Sequence, residues 1–573
     1  MVFCGACVPR KGPGSIGRFS TRLGWLKGVP ALRFLALGIG ERSKSLMTSR
    51  ELSKTNSTPS PWIIWGLVAV VILALGLRIW GIDFGLPYLY HPDEPNKVEA
   101  ALRILRTGDL TPHYFNKPSF LIYINALAYV PYYLLGKVIG VFQAPADILP
   151  PLMLTMGVGR SPTPSTFLLG RLLTATVGVG VVVLNFVIAR EMDHSSLTGI
   201  LSALLVAVSP TCVMNSRYIT TNMFLMFFAQ LSFLFALRLL RKGHTWDYIL
   251  SGAAAGLAAS SKYPGALIGI CLIVAHFLRH GWNGIRIRRF YLGILASIAA
   301  FFAVSPFVML DFQQFALDLG FEARHYATGH AGMEGRSLIW YLTYLFQSEG
   351  VPPLLAAIQI IRGIRARSKE IILLSSFLLI YFVFISLFPV RNDRTALPLI
   401  PFLFVLASIL IMDLFRWLSQ LELPSWRITG ILLVAAVMVS VLLWPLIQTV
   451  HDGLRLTTVD ARETARLWIE HNLPAGAKVA IESYAPFVDP ERYVVRGETW
   501  LISHPPDWYV DCQFDYLVFG YGMYGRFFLE PERYTTEVAR YEELFESLDL
   551  VRIFNDGGYE VRIYSVPDMT RED

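Results

Sequence analysis

The chain reads as an α-helical polytopic membrane protein of about eleven transmembrane helices, with outer juxtamembrane helices and a small C-terminal α/β extracytoplasmic domain. Three observations lead there. Hydrophobic residues make up 54% of the 573 and charged ones only 16%, against about 25% charged in ordinary soluble domains. Apolar runs recur from position 62 to 449, many near the roughly 20 residues that a bilayer core requires. Lys and Arg gather in short clusters between those runs. A soluble enzyme could not hide so much apolar surface, and disordered or coiled-coil chains need far more charge. The net charge of +7 resides largely in these clusters and in the first 54 residues. That distribution suits anchors facing anionic lipid, so nucleic acid is not expected as a partner.

Residues 1–60 hold Arg10, Lys11, Arg18, Arg22, Lys27, Arg33, Arg42, Lys44, Arg50 and Lys54 against Glu41 and Glu51 alone, which reads as a disordered basic cytoplasmic tail. The apolar stretch 32–39 is too short to span and lacks a clear small-residue cleavage site, so a cleaved signal peptide is the weaker reading. Five cysteines suggest no disulfide framework, and Cys4 with Cys7 is a lone CxxC without a second pair. The first span covers 62–80. Others follow near 166–189, 196–211, 218–240, 247–261, 264–278, 290–310, 338–361, 371–388, 395–412 and 428–449.

The run 119–141 is also long enough to cross, and its placement decides the topology. If it crosses, the clusters Arg238/Arg241/Lys242, Arg279/Arg286/Arg288/Arg289 and Arg362/Arg365/Arg367/Lys369 all face outward, against the positive-inside tendency. If it lies along the outer interface, all three fall inside with the tail. Tyr123, Asn125, Tyr129, Tyr132, Tyr133 and Lys137 suit that position. The expected organisation is then a membrane domain over 61–449 whose first outer loop is 81–165, with further outer connections at 311–336 and 389–394. Residues 450–573 form the extracytoplasmic domain, with an amphipathic helix at 461–471 and strands at 478–483, 516–519 and 560–565.

Arg78, Arg171 and Arg217 sit near span ends, and the spans hold almost no other ionisable groups. Ion-coupled transport usually needs such groups at depth, so chemistry is expected at the outer surface. There His91-Pro92-Asp93-Glu94-Pro95 places two carboxylates in a proline-bracketed corner before an amphipathic helix at 96–106. One can act as a general base while the other binds a cation or substrate; the pair also suits a helix N-terminus. Lys117, in Phe115-Asn116-Lys117-Pro118, can reach a lipid phosphate or simply snorkel. The segment 322–330, with Gly329, Gly332 and Gly335 suggesting mobility, offers His325 and His330 as substrate or gating residues, or as plain surface. Their spacing is not a convincing metal motif.

This order of features resembles the integral-membrane glycosyltransferases of superfamily C, with protein O-mannosyltransferases and aminoarabinose (lipid A) transferases as the nearest relatives. It is carried by Asp93-Glu94, Thr107-Gly108-Asp109-Leu110, Lys117-Pro118, Gly170-Arg171-Leu172, Ser216-Arg217-Tyr218-Ile219-Thr220, Lys262-Tyr263 and Arg391 with Arg394, across roughly 61–450. The resemblance implies Asp93 as catalytic base with Glu94 as partner. It implies Lys117, Lys262, Arg391 and Arg394 as donor-phosphate ligands, and places Arg217 and Asn222 at the substrate edge. Many relatives hold an aspartate where this chain has Asn222, a weaker cation ligand. No cofactor is therefore expected with certainty, and a divalent cation, held by Asp93 and Glu94 if by anything, is left open.

The activity so implied is transfer of a hexose or pentose from a polyprenyl-phosphate donor to an acceptor hydroxyl on a lipid, protein or polysaccharide, at the outer face of the cell membrane. The leaving phosphate needs positive charge and the acceptor hydroxyl needs a base; attack assisted by one base predicts inversion. A transporter or flippase of lipid-linked saccharides is the competing class, and a scaffold anchored by many spans is a third.

Overall fold

The computed structural model describes residues 60–420 and 424–567. The expected tail, with Cys4 and Cys7, lies outside the described residues apart from Ser60. The membrane part consists of helices α1 (Pro61–Ile79), α2 (Glu94–Thr107), α3 (Phe120–Val138), α4 (Pro164–Asp193), α5 (Ser196–Val208), α6 (Pro210–Ser216), α7 (Thr221–Arg241), α8 (Thr245–Ser261), α9 (Gly269–His280), α10 (Arg288–Val304), α11 (Phe312–Thr328), α12 (Ser337–Glu349), α13 (Pro352–Arg365), α14 (Lys369–Ser386), α15 (Ile400–Ser419) and α16 (Pro424–Thr457).

Eight helical stretches among the described residues are long and apolar enough to cross a membrane, or nine if the bent pair α5–α6 counts as one. Each expected span is occupied by helix, but length separates them. Helices α8 and α10 have 17 residues each, and the expected single span at 338–361 is two helices. Gly350, at φ +74°, ends α12, and Pro352 opens α13. The 61° bend between α5 and α6 has a similar cause: Pro210 cannot continue α5, and the Ser209 hydroxyl accepts from the Cys212 amide to start α6. Helix α3 is one of the eight and has the lowest mean hydropathy among them, 1.2.

The core gathers around α7 and α15, where Phe233, Leu237, Phe402 and Leu406 are buried. Outer helices leave Ile72, Leu295, Leu379 and Leu432 exposed, as a lipid-facing bundle does. Helix α7 runs from Thr221 to Arg241, about 30 Å at ~1.5 Å per residue, and α8 returns to Lys262. At the Arg241 end the three basic clusters meet. Arg279 donates to the Leu240 and Arg241 carbonyls at 3.0 and 2.8 Å, Arg289 donates to Gly243, and Lys369 donates to Leu278. The polar segments treated below lie at the other end.

After α16, which continues to Thr457, helix α17 (Ala461–Asn472) leads into a five-stranded sheet of order β4-β3-β5-β7-β6: β3 (Lys478–Glu482), β4 (Val494–Glu498), β5 (Tyr516–Gly520), β6 (Asp549–Phe554) and β7 (Val561–Ser565). Strands β3, β4 and β5 are parallel, and β7 is antiparallel to β5 and β6. Sequence reading finds β3, β5 and β7, whose residues are largely buried. It misses β4 and β6, edge strands whose mostly exposed residues show no clear apolar alternation. A hairpin also missed, β1 (Leu152–Thr155) with β2 (Val158–Arg160), docks on this sheet. The Tyr484 amide donates to the Met156 carbonyl at 3.0 Å, and the hydroxyls of Thr155 and Ser483 bond at 3.0 Å.

Glu482 is fully buried at the end of β3, where it accepts from Tyr541 at 2.6 Å and from the Leu501 amide at 3.2 Å. Burial pushes its carboxyl up to about 8 despite these bonds. The folded carboxyl thus keeps its proton where the unfolded one has lost it, so between about pH 4.5 and 8 the unfolded state binds fewer protons and stability falls as pH rises. Glu482→Gln is expected to flatten that slope, leaving the C-terminal domain better protected than wild type at pH 8; hydrogen exchange of the β3 and β5 amides at pH 5 and 8 checks this.

Candidate functional site

Helix α1 ends at Ile79, and the chain turns through Gly81, at φ +69°, to deliver His91-Pro92-Asp93 to the start of α2. Pro95 lies in the first turn of α2, where its missing amide proton costs nothing. Asp93 occupies the N-cap position, yet its side chain makes no capping bond; its carboxylate is instead ion-paired with Arg394. Adjacent Glu94 turns the other way and is buried. Its two oxygens accept from Arg171 Nε and Nη2 at 2.9 and 2.7 Å, and the Ile219 amide adds a third bond at 2.9 Å. Arg171 also donates to the Ile82 and Phe84 carbonyls at 2.8 and 2.9 Å, and the Phe84 ring lies 4.4 Å from its guanidinium carbon.

Asp93 opens onto a polar cavity of about 230 Å³. Of the residues expected at the site, Asp93, Lys117, Asn222, Lys262, His325, His330 and Arg394 all line it. They come from α2's leading loop, the 114–118 segment, α7, the α8–α9 junction, α11 with the turn after it, and the 390–395 segment. Lys117 is ion-paired with Glu322, and Lys262 Nζ donates to Asn222 Oδ1 at 3.3 Å. The Phe115 amide donates to Asp318 at 2.8 Å and the Tyr263 hydroxyl to the Phe115 carbonyl at 2.8 Å, pinning the Lys117 segment between α11 and the α8–α9 junction.

Three expected residues lie elsewhere. Glu94 is locked into the scaffold by Arg171. Arg217 is buried with its guanidinium on the Leu77 carbonyl at 2.8 and 3.2 Å. Arg391 is ion-paired with Glu530 of the C-terminal domain. The segment expected as a glycine-rich mobile loop is the helix α11 as far as Thr328, with Gly329, Gly332 and Gly335 in the turn after it.

The cavity also takes in Lys97, Tyr114, Glu322, Tyr326, Asn392 and Tyr484. Lys97 stands one helical turn from Asp93, a spacing that the sequence does display; its ammonium donates to the Asp93 carbonyl. Tyr484 carries no local signal, because only the docking of the C-terminal sheet brings it in.

Four cationic side chains, Lys97, Lys117, Lys262 and Arg394, thus share the chamber with two carboxylates, Asp93 and Glu322. Burial opposes the ionised form of Asp93, but Arg394, Lys97 and His91 outweigh it and hold the carboxyl far below the usual range. Burial, with Lys117 and Arg394 nearby, brings the Lys262 ammonium down to about 7. Burial and the neighbouring cations bring Lys97 down to about 8, against the pull of Asp93. The chamber is short of negative charge.

A second cavity, of about 190 Å³, adjoins it. Its walls are Pro264, Leu319, Tyr381, Phe384, Ile385 and Phe388, and it shares Lys117, Lys262, Glu322, Tyr326, Val390 and Thr395 with the first. An apolar chamber therefore meets a cationic one at a pair of lysines.

No group of three or more His, Cys, Asp or Glu side chains that could hold a metal ion occurs among the described residues. With both Glu94 oxygens on Arg171 and Asp93 on Arg394, the pair does not fit a divalent-cation site.

Against known proteins, residues 154–319 match the family described as dolichyl-phosphate-mannose-protein mannosyltransferase. No curated protein gives a significant sequence match. Among solved structures, the chain is similar in fold to ArnT from Cupriavidus metallidurans, solved in the apo state and bound to undecaprenyl phosphate. Identity is 16%, the match covers 88% of this chain and 98% of ArnT, and the TM-score is 0.51. It is also similar to the Archaeoglobus fulgidus oligosaccharyltransferase, at 12% identity over 89% of this chain and 75% of that one, with a TM-score of 0.50. The chain thus has the fold of these membrane proteins and resembles the superfamily C glycosyltransferases expected from its sequence.

Proposed function

We propose that the protein is a membrane glycosyltransferase that moves a sugar from a polyprenyl-phosphate donor to an acceptor hydroxyl with inversion at the anomeric carbon. The observation that carries this reading is the junction of the apolar and cationic chambers at Lys117 and Lys262, a shape matched to an amphiphile with a phosphate between tail and sugar. The prenyl chain fits beside Phe384, Ile385 and Phe388, the phosphate between the lysines, and the sugar in the polar chamber below Asp93. The family matched over 154–319 and the ArnT fold, known with undecaprenyl phosphate, support the same donor class.

The chemistry follows from the leaving group. Cleavage of the bond between the anomeric carbon and phosphate oxygen leaves a phosphate monoester, and Lys117, Lys262 and Arg394 supply the charge that stabilises it. Asp93 takes the acceptor's proton. Arg394 quenches Asp93 through their ion pair; a bound phosphate competes for the guanidinium and restores basicity where it is needed. Glu94 is turned away and fully paired, and Glu322, the other carboxylate of the chamber, is ion-paired with Lys117 at the phosphate end, which favours inversion.

The cluster of basic loops at the Arg241 end supports the orientation expected from the positive-inside rule, with the chamber and the C-terminal domain outside. A cysteine introduced at Asp556 should react with an impermeant maleimide in intact cells, and one at Arg288 should not; the reverse pattern overturns the orientation. The activity is tested with radiolabelled undecaprenyl-phosphate mannose, glucose, galactose and arabinose incubated with purified protein and membrane extract. Consumption of one donor with label appearing in an acceptor is expected. Movement of intact donor between leaflets without chemical change would instead mark a flippase.

A further inference from the structure

Most of the polar chamber's lining is not shared with the apolar chamber, and part of it comes from the C-terminal domain. Tyr484, just past β3, lines the cavity beside Met156 of the β1–β2 hairpin and His330. Its backbone is left-handed, at φ +65°, a conformation costly for a bulky residue and retained only where the surroundings impose it. The surroundings are three glycines. A Cβ at Gly520 would lie 2.7 Å from the Tyr484 carbonyl carbon, one at Gly522 would lie 2.8 Å from its Cβ, and one at Gly157 would lie 3.0 Å from its ring. Space for this residue is thus cleared from the hairpin, from the end of β5 and from the helix Tyr521–Phe528 that follows it.

Behind the ring, the Arg526 guanidinium carbon sits 4.8 Å from the Tyr484 centroid, and Arg526 Nη1 donates to His330 Nε2 at 3.1 Å. Arginine cannot accept, so His330 is held as a neutral imidazole with that nitrogen free of hydrogen. Burial, with Arg526 beside it, lowers His330 to about 4, in keeping with that state. The same short stretch of the C-terminal domain ties down the rest of the turn and the neighbouring 390–395 segment: Tyr534 accepts from the Gly332 amide at 3.0 Å, Arg533 pairs with Glu334 at 2.5 Å, and Glu530 pairs with Arg391. Nothing in donor binding as described above calls for these contacts.

We propose that Tyr484, braced by Arg526 and His330, is the wall that keeps water from the sugar, so that the C-terminal domain sets the partition between transfer and hydrolysis. This inference rests on the function proposed above. In the reaction to be prevented, a water oxygen attacks the anomeric carbon, its proton passes to Asp93, and the bond to the phosphate oxygen breaks. Free sugar and polyprenyl phosphate are the products. The chamber already holds base and cations for that reaction, so exclusion of water is what makes it selective.

The experiment uses full-length protein in nanodiscs with the radiolabelled undecaprenyl-phosphate sugar that wild type consumes. It counts free sugar against labelled acceptor in membrane extract. Tyr484→Ala is expected to raise the ratio of hydrolysis to transfer by ~10-fold or more, Arg526→Gln by a smaller factor, and Tyr484→Phe by less than about 2-fold. Tyr484→Phe keeps the ring and its packing and so separates loss of the wall from loss of the fold. An unchanged ratio in a folded Tyr484→Ala protein overturns the inference while leaving the glycosyltransferase reading intact. A wild-type protein that consumes no donor overturns both.

Discussion

Replacing Asp93 by Asn is expected to lower sugar transfer by about 10²–10⁴-fold, the usual worth of a positioned general base, while the protein folds and binds donor normally. The structural case for separating chemistry from folding is specific. The Asp93 carboxylate is 42% exposed to the cavity, makes no capping bond to α2, and has Arg394 as its ion-pair partner. Amide for carboxylate therefore removes a charge without leaving a buried one unpaired elsewhere. Donor affinity should hold or rise, because Arg394 is released toward the phosphate. Arg394→Gln should do the opposite, raising donor KM and returning Asp93 toward an ordinary carboxylate. The check is a pH profile of each. Wild type, whose free-enzyme carboxyl is depressed by Arg394 and Lys97, should keep kcat/KM as pH falls toward 5, whereas Arg394→Gln should begin to lose it there. Full transfer by Asp93→Asn would remove Asp93 from catalysis.

The sequence made some of this visible, for identifiable reasons. Apolar runs report burial in lipid or protein directly, so most helices were legible, and 338–361 was misjudged only because hydropathy does not register the break that Gly350 and Pro352 impose. Seven of the ten expected site residues converge on one cavity, since polar residues stranded at the ends of apolar runs have few other places to go. The errors share another cause. Arg391 and Arg394 stand three apart in a short connection, and only the docking of Glu530 assigns the first to an interdomain ion pair. Tyr484 enters through the assembly of a domain that begins more than 300 positions after Asp93, which no local pattern encodes.

Glu94 is the sharpest instance, and it yields the second large effect. Two neighbouring carboxylates look interchangeable in sequence, yet Arg171, 77 residues away, takes both oxygens of one and none of the other. Side-chain exposures of 0% for Arg171 and 1% for Glu94 make this a desolvated pair. Its own contribution to stability is small, because taking two ions out of water offsets most of their attraction. Breaking it is another matter, since the survivor is left charged, buried and short of partners. Arg171→Met should destabilise the protein by about 3–5 kcal/mol, seen as a lowered midpoint in thermal size-exclusion assays in detergent. Glu94→Gln should act in the same direction, leaving Arg171 with the Ile82 and Phe84 carbonyls, the Phe84 ring and a weaker amide contact. The double variant should lose less than the sum of the two, as expected when each single change orphans the other's partner. Activity per folded molecule of Glu94→Gln should stay within about 10-fold of wild type, far above that of Asp93→Asn. A Glu94→Gln protein with wild-type thermal behaviour and no turnover would reverse this assignment and make Glu94 a participant in the chemistry.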